Sequence, residues 1–277
     1  MFTYLLTGIF VFLFGVCIGS FLNCAIYRME AKKSLNGRSF CPHCKHSLNW
    51  KDLFPVLSFI FLGGKCRYCK KKISWQYPMS EIVTGILFVL IFWRFSVIPS
   101  LTGNPGTSNA IWIPAFAGMT YLAFLFYIAG SMIFIFIYDL KHYIIPDKVL
   151  FPAIGIAFFY RLFEKLSISN FAPYFWGALI ASGFFLIIFL VTRGRGMGFG
   201  DVKLAVLMGL LLGVQNVIVA LFFAFMLGAI IGIILLAGKK KGLKSEVPFA
   251  PFLITGTFIA LFYGSQIVNW YFNIIKI

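Results

Sequence analysis

The feature that most constrains this chain is a series of long, uninterrupted apolar runs, most of them near twenty residues, along its whole length. A helix of about 20 residues crosses some 30 Å of hydrocarbon, and in lipid only helices or closed barrels satisfy every backbone group. The runs are continuous rather than alternating, so helices are expected. They fall near residues 4–26, 80–98, 117–138, 149–164, 171–192, 202–214, 216–237 and 250–273. The sixth run is short, and only Gly213-Val214-Gln215-Asn216 separates it from the seventh. Seven and eight spans are both arguable on that ground, and the placement of charge favours eight. A composition of 61% hydrophobic and 12% charged residues agrees, because soluble domains carry roughly 25% charged residues. The run Tyr4 to Ile26 ends in Ala25-Ile26-Tyr27-Arg28 with no small-residue cleavage site, and reads as a retained span rather than a signal peptide.

With eight spans, one set of connections (28–79, 139–148, 193–203 and 239–249) holds 20 of the 24 Lys and Arg, leaving Arg94, Arg161, Lys165 and Lys276 for the other. The positive-inside bias puts the first set in the cytoplasm and both termini outside. The net charge of +16 then follows from topology and anionic lipid, and no nucleic-acid partner is expected. The fold class expected is an all-α integral membrane protein of about eight transmembrane helices with a small cytoplasmic zinc-binding insert. Its parts are a first helix (1–27), the insert (28–79) and a membrane core (80–277). Residues 99–116, rich in Pro, Gly, Asn and Ser, read as an irregular external loop.

In the insert, Cys41-Pro42-His43-Cys44 and Cys66-Arg67-Tyr68-Cys69 form two C-x2-C pairs. Such pairs supply four thiolates for tetrahedral zinc. A reducing cytoplasm favours metal over disulfides, and four thiolates leave no open position, which makes the expected metal structural. His43 and His46 are expected at the surface. Cys17 and Cys24, seven apart on the first helix, read as small packing residues.

Only eight acids occur in 277 residues, and Asp139, Asp147 and Asp201 stand at the cytoplasmic ends of spans. Acids at membrane depth mark function, although an interfacial Asp also serves as a helix cap. Asp201 closes Gly198-Phe199-Gly200-Asp201, whose glycines permit close backbone approach. Asp139 follows Tyr138 at the end of the third span. Two aspartates from different helices at one depth suit peptide hydrolysis by water, one ionised to activate the water and one protonated to polarise the carbonyl. Asp147, in Ile144-Ile145-Pro146-Asp147, reads as a cap of the following helix.

The same residues carry a resemblance. Gly19-Ser20-Phe21-Leu22-Asn23 with Tyr27-Arg28, the paired C-x2-C, Gly63-Gly64-Lys65-Cys66 and Tyr77-Pro78-Met79-Ser80-Glu81 come in order. Asp139 with Ile145-Pro146-Asp147, the glycine motif with Asp201-Val202-Lys203, and Pro248-Phe249-Ala250-Pro251-Phe252 follow. Together they resemble the type IV prepilin peptidases, aspartyl enzymes of the bacterial inner membrane that cut the leader from pilin and pseudopilin precursors and methylate the new N-terminus. The resemblance implies Asp139 and Asp201 as the catalytic pair and Cys41, Cys44, Cys66 and Cys69 as the zinc ligands. It implies S-adenosylmethionine as methyl donor, with the insert and Gly64 as candidates for its site. A presenilin-like protease shares Tyr-Asp and Gly-x-Gly-Asp, but its Pro-Ala-Leu is lacking and the cysteine insert is foreign to it. A transporter or zinc-ribbon docking protein would use the acids for ions or caps, yet no repeated halves are visible.

Overall fold

A computed structural model describes residues 2–95, 112–164, 168–194, 197–237 and 247–275. Its order is α1 (Phe2–Glu30), a 3-10 turn (Trp50–Asp52), α2 (Leu57–Phe61), α3 (Gln76–Phe95), α4 (Trp112–His142), α5 (Asp147–Phe163), α6 (Ile168–Val191), α7 (Phe199–Ala237) and α8 (Ala250–Ile275). No strand occurs among the described residues. Six helices are long and apolar enough to cross a membrane, and the protein is a multi-pass membrane protein. Most of the loop expected at 99–116 lies outside the described residues, and its end, from Trp112, is already helical. The chain forms two compact units, residues 1–134 and 135–277.

In the first unit, α1 and α3 pack through glycine. A Cβ on Gly15 would stand 2.8 Å from the Gly85 Cα, and one on Gly19 would stand 2.7 Å from the Glu81 Cα. This small-xxx-small stripe lets the backbones meet where lipid supplies no hydrophobic drive between helices. The approach buries a polar cluster. The Asn23 amide donates to the Tyr77 carbonyl at 3.1 Å, and the Ser80 hydroxyl donates to Asn23 Oδ1 at 2.9 Å. Glu81 accepts from the Val56 N–H at 2.7 Å and from the Ser20 hydroxyl. Cys17 is exposed rather than packed, unlike the sequence expectation.

In the second unit, α7 is two arms. Gly213 breaks it with φ 74° and ψ 174°, a conformation open only to glycine. Neighbouring contacts fix the sense of the break. Phe189 of α6 meets Phe199 at the start of α7, while Gly177 lies against Gly209 and Gly213, so the first arm runs antiparallel to α6. Phe185 meets Phe225, so the second arm runs back beside α6. Gly256 of α8 lies on Ala220, Gly264 on Asn216 and Phe252 on Gly228, so α8 is antiparallel to the second arm. The 39-residue helix is therefore a tight hairpin, and the apolar runs at 202–214 and 216–237 are separate segments as the eight-segment reading expects.

The hairpin is held from outside by Arg161. Sequence put this residue on the less basic side, at the end of the run 149–164; its guanidinium is buried and donates to the Leu211 carbonyl at 2.9 Å and the Leu210 carbonyl at 3.3 Å. These are last-turn carbonyls of the first arm, which the break leaves without helical partners. Glu164 accepts from the same guanidinium at 2.6 Å, and the Tyr174 ring lies 4.0 Å from it.

Candidate active site and cysteine centre

Asp139 lies one turn before the end of α4, where Tyr143 turns the chain out with φ 57°. Asp201 is the third residue of α7. Both carboxylates are buried, at 5% and 7% exposure, and they are close enough for the charge of one to act on the other. The second unit thus brings together the two acids expected to pair. Each is fixed by one backbone donor. The Gly198 N–H donates to Asp201, which is the reach of a third helical residue back to its cap. Asp201 therefore caps its own helix and faces its partner with the remaining carboxylate edge. The Ala250 N–H, at the start of α8, donates to Asp139. Phe249 anchors that donor by packing 5.2 Å from Phe225 and 6.1 Å from Phe185. The positive ends of two helices thus meet the two carboxylates.

The glycines of the motif differ in use. A Cβ at Gly200 would press on Ile145 at 3.1 Å, so this residue is small for packing. At Gly198 the nearest atom is Asp201 Oδ2 at 3.8 Å, which leaves space beside the carboxylate. Asp147 is the first residue of α5 but makes no side-chain cap. Its two oxygens instead accept from Lys203 Nζ at 2.8 and 2.9 Å, tying α5 to the second turn of α7. The cap expected of Asp147 is thus an ion pair. Arg161 and the Ala250 N–H escaped sequence reasoning; the Pro-Phe-Ala-Pro motif was the visible sign of the latter.

The first unit carries the cysteine centre. All four Sγ atoms lie within 4.8 Å of one another, and Cys41 and Cys69 are 3.9 Å apart. Zn–S bonds of about 2.3 Å in a tetrahedron need sulfurs about 3.8 Å apart, so the four thiols fit one ion with little movement. Two like turns present them. The Cys41 N–H donates to the His46 carbonyl at 3.0 Å, and the Cys66 N–H donates to the Lys71 carbonyl at 2.9 Å. Lys45 and Lys70 both stand at φ 58°, and bridges pair Phe40 with Ser47 and Lys65 with Lys72. Burial disfavours charge at Cys41, but the N–H groups of Cys44 and His43 and the neighbouring thiols bring it down to about 7. Asp52 braces the second turn by accepting from Arg67 at 2.7 Å; although burial opposes charge there, Arg67 and the Asn49 N–H hold the carboxyl below its usual range. His43 and His46 are exposed as expected, and the His46 ring lies tilted against Tyr68 with centroids 3.7 Å apart.

Gly64 precedes the second turn. Gly63 and Gly64 have φ of 58° and 67°, and their N–H groups donate to the Ile60 and Phe59 carbonyls, closing α2 in a Schellman motif. A Cβ on Gly64 would meet the Phe59 ring at 3.1 Å. The turn itself thus requires this glycine.

Purified protein is expected to contain about one zinc per chain. Replacing Cys66 or Cys69 with Ser should release it and increase proteolysis within 28–79, while the second unit stays folded. Metal analysis that finds free thiols and no zinc would refute this.

Comparison with known proteins matches both parts of the chain. Residues 13–95 match the profile described as bacterial peptidase A24 N-terminal domain, and residues 126–233 match the type IV leader peptidase family. A prepilin leader peptidase/N-methyltransferase of Bacillus subtilis (strain 168) is 31% identical over 265 residues, covering 94% of this chain and 96% of that one. The protein of that name from Legionella pneumophila is 31% identical, covering 98% and 94%. The one from Pseudomonas aeruginosa is 30% identical, covering 94% and 91%. No solved structure matches. The chain belongs to the type IV leader peptidase family.

Proposed function

We propose that this protein cleaves the leader from type IV prepilins or pseudopilins and also methylates the N-terminus so formed. The observation that carries the peptidase reading is the buried Asp139–Asp201 pair, each acid held by one backbone N–H and both at the ends of membrane-length helices. In the reaction, the ionised aspartate takes a proton from water while the oxygen attacks the scissile carbonyl carbon, and the protonated aspartate donates a hydrogen bond to the carbonyl oxygen. The tetrahedral intermediate then collapses. The C–N bond breaks, and the departing nitrogen takes the proton. The membrane is read as a bacterial inner membrane, and the positive-inside distribution of Lys and Arg supports the cytoplasmic face as the side of this chemistry.

The metal of the insert is zinc in a structural role, held by Cys41, Cys44, Cys66 and Cys69 with no position left for water. S-adenosylmethionine is the methyl donor that the resemblance implies and that the N-methyltransferase in the relatives' names supports, and it would supply the methyl group. The insert and Gly64 stay candidates for its site, although the geometry at Gly64 accounts for that residue by the turn alone. No nucleic-acid partner is assigned.

Leader release from a prepilin by the detergent-solubilised protein tests the activity. Cleavage should follow the glycine joining the basic leader to the apolar helix, because a side chain there would obstruct the extended backbone between two carboxylates. Replacing that glycine with Val should slow turnover by about two orders of magnitude, whereas shortening the leader should change it little. Equal turnover of the Val precursor would overturn the proposed geometry.

A further inference from the structure

The insert exposes an apolar surface that the activity above does not use. Residues 50–61 carry Trp50, Phe54, Leu57, Ile60 and Phe61 outward, with Phe61 84% and Ile60 64% exposed, and Trp75 stands outward beside Phe59. In water such a patch would be a liability for a domain of some fifty residues. Its depth explains it. The Val56 N–H, just before α2, is bonded to Glu81, and Ser20 of α1 bonds to the same carboxylate. Glu81 lies five residues into the membrane-length helix Gln76–Phe95, about 7.5 Å along its axis at 1.5 Å per residue. Ser20 likewise lies inside the span Leu5–Glu30. Phe21 and Met79 are exposed apolar residues at this level and mark it as lipid-facing. Segment 53–61 therefore begins below the ends of the two helices that carry the insert. Val56 is pinned there at φ 59°, a costly conformation for a β-branched residue, by its bond to Glu81.

We infer that residues 50–61 lie in the membrane interface, with Leu57, Ile60 and Phe61 among acyl chains, so that the insert rests on anionic lipid. Charge supports this partner. The insert 28–79 holds eleven Lys and Arg against Glu30 and Asp52, and Lys51, Lys65, Lys70, Lys71 and Lys72 are exposed. Trp50, with the Lys51 ammonium 5.6 Å from its ring, has the amphipathic pairing found at headgroup level. Lysines near a negative leaflet add attraction to the burial of the apolar side chains. Anchored at both helix ends and by this segment, the insert is held against the bilayer rather than free above it.

The test uses the full chain in nanodiscs of phosphatidylcholine and phosphatidylglycerol, with a fluorescent amino acid in place of Phe61 or, as a control, of His43, which is exposed near the first cysteine turn. Lipid carrying a nitroxide near the headgroup should quench the probe at 61 at least about twofold, with little effect of aqueous iodide, and the probe at 43 should respond in the opposite way. Phe61 is largely exposed, so its replacement leaves packing intact, and zinc content serves as the check on folding. Equal iodide quenching at 61 and 43, without nitroxide quenching, would overturn the inference. A change at 61 that requires added prepilin would assign the surface to the substrate and overturn it as well.

Discussion

Replacing either Asp139 or Asp201 with Asn is expected to lower leader cleavage at least about a thousandfold, a loss near 4 kcal/mol of transition-state stabilisation, with the protein still folded. Asn is the informative substitution because its side-chain oxygen still accepts the Ala250 or Gly198 N–H. Ala at Asp201 would also remove a helix-capping contact, which typically stabilises by about 1 kcal/mol, and so would mix folding with chemistry. Asp147→Asn gives the contrast. Asp147 itself is half-exposed in its pair with Lys203, and exposed ion pairs contribute about 0–1 kcal/mol, so turnover should fall less than about tenfold. Turnover of purified variants on one prepilin, with thermal unfolding as a control, decides the matter. An equal loss at Asp147 would mean that the pair is wrongly drawn.

The second large effect is expected at Arg161. Its guanidinium serves two carbonyls, Glu164 and the Tyr174 ring, and all but a few percent of it is buried. Arg161→Met leaves the Leu210 and Leu211 carbonyls without this donor in apolar surroundings, which should cost about 3 kcal/mol. Lys should recover only part of that, since a point charge cannot reach both carbonyls and stack on the ring. Cleavage should fall with stability, because the arm ending at Leu212 is the one that carries Asp201 in its first turn. Denaturant titration in detergent measures the cost, and a change below about 1 kcal/mol would show that the break at Gly213 holds itself.

Much of this architecture is legible in sequence. Apolar runs locate the membrane helices because lipid permits no alternative to helix, and the interruption at Gly213-Val214-Gln215-Asn216 marks the hairpin. The ends are less legible. Helix α1 continues to Glu30 and α3 starts at Gln76, because backbone hydrogen bonding carries a helix past the last apolar residue. The cysteine spacing is legible as a ligand set, whereas the likeness of the two turns needs the left-handed Lys45 and Lys70 to be seen. Arg161 and Glu81 are not legible. A lone charge near a span reads as an interfacial anchor, and only the fold shows the carbonyls and N–H groups that justify burying it. The same holds for the donor to Asp139, which comes from a residue over a hundred positions away.

The reversal at Gly213 also decides parity. Taken as one 39-residue apolar helix, α7 would count as a single crossing. As a hairpin it counts as two, which is why Ala250 returns to Asp139 and why α8 then carries the chain away from the aspartates. A reporter fused after Ile277 should accordingly emerge on the face opposite the carboxylate pair. A topology map that merges the two arms but keeps the other six segments would count seven crossings and put that terminus on the wrong face.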